Sequence, residues 1–99
     1  MKKAFLLHEA PQNIASAIVE IHPKDGVQFT LEEVHKYLNC KKIDVAKLPS
    51  GDILLIDKEA EIKNRSLNVE ATIFYGSAKT NIKGTVIICP SAMFKLPLP

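Results

Sequence analysis

Apolar positions along the chain come in short blocks separated by turn-forming residues. Residues 2–8 and 14–22 are rich in β-compatible apolar side chains, and Glu9-Ala10-Pro11-Gln12-Asn13 between them has turn chemistry, which predicts a hairpin. His22-Pro23-Lys24-Asp25-Gly26 breaks the chain, because proline fixes φ and Asp-Gly favours a tight turn. Thr30-Leu31-Glu32-Glu33 is a capping box, and Leu31, Val34 and Leu38 follow at spacings of three and four, so a helix over 30–39 is expected to lay one apolar stripe on a sheet.

The second half repeats the logic. Ile43, Val45 and residues 53–56 flank Leu48-Pro49-Ser50-Gly51-Asp52, the clearest hairpin turn in the chain, and Asp57-Lys58-Glu59-Ala60-Glu61 reads as its solvated exit. Asn68 as N-cap, Glu70 near the positive helix end and Gly76 as a left-handed stop predict a two-turn helix over 68–75. Residues 85–89 make a last buried strand that Pro90 closes. The pattern therefore predicts one α+β domain over residues 1–92, of order ββαββαβ, with a mainly antiparallel sheet and two short helices. An apolar, proline-containing tail follows at 93–99. The expected core is Leu31, Val34, Leu38, Val45, Leu55, Ile73, Val86 and Ile88.

Composition narrows the classes. An apolar share of 46% beside 24% charged residues is that of a globular domain, and 99 residues leave room for one core. A net charge of only +2 gives no support to nucleic acid as partner. The opening Met1-Lys2-Lys3-Ala4-Phe5-Leu6-Leu7 resembles a leader, but His8 and Glu9 interrupt it, and no apolar run reaches membrane-spanning length, so a cytoplasmic location is expected. Cys40 and Cys89 are far apart and read as reduced core or interface residues. A small sheet with unprotected edges and an apolar tail predicts a homo-oligomer, most simply a dimer.

The order of Leu31-Glu32-Glu33, Leu48-Pro49-x-Gly51-Asp52, Asp57-x-Glu59, Leu67-Asn68-x-x-Ala71-Thr72, Tyr75-Gly76 and Ile82-x-Gly84 resembles a small domain family carried by bacteriophages and bacterial mobile elements. The resemblance covers residues 30–89. It departs from the family at Val69-Glu70, where Pro and Arg are common, and at Lys63-Asn64-Arg65-Ser66, where a glycine-rich passage is usual. It implies an α+β fold and an accessory role, of which countering host defence is one form.

Recognisable catalytic chemistry is missing from the pattern. His35 beside Glu32 is one helix turn of a surface pair rather than a zinc set, no nucleophile signature surrounds Ser50, Ser66 or Ser77, and neither metal nor cofactor is expected. The cluster Lys36, Lys41, Lys42 and Lys47 reads as a solvated face. Residues 75–84 are the most suggestive stretch, with two glycines, two lysines and hydroxyl or amide side chains, and Asn64-Arg65-Ser66 lies upstream. Arg65, Lys79 and Lys83 supply charge, Gly76 and Asn81 directional donors, and Tyr75 a stacking face. The expected function is non-enzymatic capture of a phosphorylated, nucleotide-like ligand, as a sponge for a host immune signal. The alternative is a protein-interaction module that inhibits or adapts a host factor through a strand edge or the tail.

Overall fold

In the computed structural model, which describes residues 3–9, 18–60, 62–75 and 82–94, every strand pairing is antiparallel. The strands are β1 (Ala4–Leu7), β2 (Ile18–Ile21), β3 (Ile43–Lys47), β4 (Asp52–Asp57) and β5 (Val86–Pro90). They form one five-stranded sheet in the order β2-β1-β5-β4-β3. Two hairpins flank the sheet, and the last strand enters between them, where Val86, Ile87, Ile88 and Cys89 are buried on both faces.

The period of two sorts the strands into two cores. Ala4, Leu6, Ile53, Leu55, Ile87 and Cys89 face one side, where Val34 and Leu38 of helix α1 (Leu31–Leu38) pack with Phe29 and Phe94. Leu7, Leu54, Val86 and Ile88 face the other, under Ala71 of helix α2 (Val69–Tyr75) and Ile82. The sheet is thus the middle layer of three. Val34 and Leu38, at 0% and 2% exposure, each contribute about 1.5–3 kcal/mol of apolar burial.

The α1 boundaries follow from their caps. The Thr30 hydroxyl accepts from the Glu33 amide at 3.1 Å, and the Glu33 carboxylate accepts from the Thr30 amide at 3.0 Å. Asn39 ends the helix at φ 51° in the left-handed region, with its amide donating back into the last turn. The 48–52 hairpin turn forms as its residues demand, with Gly51 at φ 91°.

Three expectations need correction. Leu31 is 41% exposed, because the stripe that meets the sheet runs from Phe29 through Val34 to Leu38, and Leu31 lies off it in the first turn. Ile73 is 68% exposed, because Asn68 and Ala71 are the buried positions of that segment and turn Val69 and Ile73 outward. Asp57 and Ala60 are buried, so the segment after β4 is no solvated exit. Glu61 lies outside the described residues. Val45 is half-buried, as an edge strand allows, while Leu55, Val86 and Ile88 are in the core.

Phe94, counted with the tail in the sequence, is 2% exposed. A 3-10 turn at Ser91–Met93 brings it beside Phe29, and the Phe29 amide donates to the Met93 carbonyl at 2.7 Å. Residues 95–99 lie outside the described set. Among the described residues no helix is long and apolar enough to cross a membrane.

Candidate functional site

Of the predicted site residues, Arg65 and Lys83 lie beside one short ladder at an end of the sheet. Ser66, Leu67 and Asn68 run antiparallel to Ile82, Lys83 and Gly84: Leu67 bridges Lys83, the Asn68 amide donates to the Ile82 carbonyl at 2.7 Å, and the Gly84 amide donates to the Ser66 carbonyl at 2.9 Å. This short ladder closes the base of an excursion that holds α2 and residues 76–81. Gly76, Lys79 and Asn81 lie outside the described residues. Tyr75 is the last residue of α2, and Lys83 stands half-buried at the base.

Asn68 is the centre of that base. Its side-chain amide donates to the Leu7 carbonyl at 2.9 Å and the Gly84 carbonyl at 2.8 Å, while its oxygen accepts from the Ala71 amide at 3.0 Å as the N-cap of α2. The Thr72 hydroxyl donates to the Asn68 carbonyl at 2.8 Å and accepts from the Ile82 amide at 3.1 Å. Gly84 at φ 86° turns the chain into β5 with Arg65 packed over it.

Arg65 is already engaged within the fold. Its guanidinium donates to the Asn39 carbonyl at 2.9 Å and to Glu9 at 3.4 Å, and its Nε lies 3.8 Å from Asp57. Asp57, 1% exposed at its side chain, also accepts from Lys63 Nζ at 3.0 Å and from the Glu59 amide at 2.9 Å. Glu9 accepts from the Ser66 amide at 2.9 Å. Arg65 therefore braces the α1 C-cap, the end of β1 and the end of β4. A mid-chain arginine beside a turn gives no sign of this in the sequence, because its two hydrogen-bond partners are 56 and 26 residues away.

A second feature lies across the sheet. A groove of about 410 Å³ is lined by Lys24, Glu32, Glu33, Lys36 and Tyr37. The capping box builds one wall, since Glu33 also accepts from the Lys24 amide at 3.0 Å and draws the 23–26 turn against α1. Amide hydrogen bonds from Thr30 and then Lys24 hold the Glu33 carboxyl below its usual pKa of 4.5. Asp25 tightens the same turn by accepting from the Val27 and Gln28 amides at 2.7 and 2.9 Å, which lowers its pKa as well. Tyr37 stands edge-on to Phe29, with centroids 6.2 Å apart at 81°. Lys36 is exposed, as a solvated face predicts, and Glu33, by capping, draws Lys24 to the same groove.

The cysteines are not poised for chemistry. Burial, and then the Asp52 charge, pushes the Cys89 thiol up to about 12, and burial raises Cys40 as well. Among the described residues no group of three or more His, Cys, Asp or Glu is placed to hold a metal ion. No family model, curated protein or solved structure matches the chain.

Proposed function

We propose that the chain is a non-enzymatic binding protein that captures a small phosphate-bearing, nucleotide-like ligand at the excursion based on residues 66–68 and 82–84. The ladder between these two segments carries the reading. Lys83 pairs with Leu67 across it, Asn68 fixes it with buried hydrogen bonds, and Gly76, Lys79 and Asn81 fall between its two segments in the sequence. A rigid base lowers the entropic cost of ordering a loop around an anion. Lys79, Lys83 and the 76–81 backbone amides meet the phosphate, Tyr75 stacks, and Arg65 holds the base rather than the ligand. The resemblance to phage-borne domains supplies the setting, the host cytoplasm, with a homo-oligomer whose copies enlarge the site.

Calorimetry with linear and cyclic nucleotides, with recovery of the ligand by mass spectrometry, tests this. Lys83→Ala removes a charge-assisted hydrogen bond and weakens binding by about 1.5–3 kcal/mol, roughly tenfold to hundredfold. Lys47→Ala, on the edge strand β3, changes nothing. Absence of heat for every nucleotide refutes capture, and a cleaved ligand makes the protein an enzyme.

One observation favours the protein-partner alternative. Leu67, Val69 and Ile73 present an exposed apolar strip beside the same base. Ile73→Lys abolishes partner binding under that reading and spares nucleotide capture under the first. Deleting the tail probes the same question only over 95–99, since Phe94 belongs to the core.

A further inference from the structure

The α1 groove lies on the opposite face of the sheet from the excursion, and its chemistry differs. Its volume of about 410 Å³ falls in the range of small-molecule sites, ~300–1,000 Å³. Four charges of two signs surround it: Lys24 and Lys36 against Glu32 and Glu33. Glu33 is spent on the fold, with its oxygens taken by the Thr30 amide and hydroxyl and the Lys24 amide, and its charge is offset by the neighbouring Lys24. Glu32 and Lys36 remain. They are one helical turn apart, the spacing at which such side chains ordinarily pair, yet neither forms an ion pair with any described residue. Tyr37, held edge-on by Phe29, lines the groove with them.

A phosphate dianion is a poor complement to this wall, because Glu32 and Glu33 cancel the two lysines and leave no net positive field. One separated positive and one separated negative group beside an aromatic ring complement a molecule with both charges and an apolar body. We propose that the groove between the 23–26 turn and α1 binds a free zwitterionic amino acid or dipeptide, with its carboxylate on Lys36, its ammonium on Glu32 and its side chain against Tyr37. This site is independent of the one at residues 65–83. The ammonium also gains from the tyrosine ring face when it sits above it.

The test is a titration of the full chain with the dipeptide phenylalanylglycine, followed by amide NMR. The same dipeptide acetylated at its N-terminus and amidated at its C-terminus, and adenosine monophosphate, serve as comparisons. The free dipeptide is expected to shift the amides of Lys24, Glu32, Lys36 and Tyr37 saturably, and the blocked one is not. Glu32→Gln and Lys36→Gln change exposed side chains outside the capping box, so both variants fold, and each weakens the dipeptide about tenfold by removing one charge-assisted contact. Equal binding of free and blocked dipeptide, absence of shifts in the groove, or binding of adenosine monophosphate there that Glu32→Gln strengthens each overturns the proposal.

Discussion

Replacing Asn68 separates two roles that one side chain performs. As an N-cap it satisfies one helix amide, a contribution of about 1 kcal/mol that aspartate supplies equally well. As a donor it satisfies the carbonyls of Leu7 and Gly84 from a position with 0% exposure. Leaving each of those acceptors without a partner costs roughly 1–3 kcal/mol, less where strand pairing already uses one lone pair. Asn68→Ala loses cap and donors together, which sums to about 3–5 kcal/mol. That is a large share of the ~5–15 kcal/mol that holds a domain of this size together. Asn68→Asp keeps the shape and the cap but sets a carboxylate against two carbonyl oxygens, so it is expected to cost at least as much as the alanine.

Urea unfolding followed by circular dichroism at neutral pH measures both variants. A drop of about 3 kcal/mol lowers the melting temperature by roughly 12–24 °C in a chain of this length. If Asn68→Asp stays within about 1 kcal/mol of the parent, the donor argument is wrong and the residue is a cap alone.

Two further outcomes follow from the titrating groups. Glu33 has its folded pKa held below 4.5, so the stability it lends is full above that value and lost as pH falls through the lower, folded value; melting between about pH 5 and pH 3 should show a smaller drop for Glu33→Gln, which keeps the box without titrating, and parallel curves would contradict this. Burial of the thiols predicts that iodoacetamide at neutral pH modifies Cys40 slowly and Cys89 only after unfolding, and equal native labelling of both, read by mass spectrometry, would refute it.

The parts of the fold legible in the sequence are those set by neighbours a few residues apart. The Thr30–Glu33 box and the Pro49–Gly51 turn are local chemistry, and the structure has each. The insertion of β5 between β1 and β4 was not legible, because a continuous apolar run says that a strand is buried without saying between which partners. Ile73 shows the limit of periodicity in a short helix. Over two turns an apolar residue fits either face, and here the buried position is a polar residue, Asn68, whose side chain makes three hydrogen bonds at 0% exposure while Ile73 is turned outward.

The candidate site divides along the same line. That Arg65 and Lys83 stand near one another was implied by no spacing; it follows from the ladder at 66–68 and 82–84 and from Gly84 packing under the Arg65 stem. The same geometry gives Arg65 a bracing role, since its guanidinium lies within reach of Asp57, Glu9 and the Asn39 carbonyl. Lysine at 83 has no such partner among the described residues. The excursion and the α1 groove are then separated by a sheet whose central strand is buried on both faces, from Val86 to Cys89. Arg65 links the two sides, because it donates to the Asn39 carbonyl at the end of α1 and packs on Gly84 beside Lys83, so substitutions at Lys36 and Lys83 act additively only while that brace is unchanged.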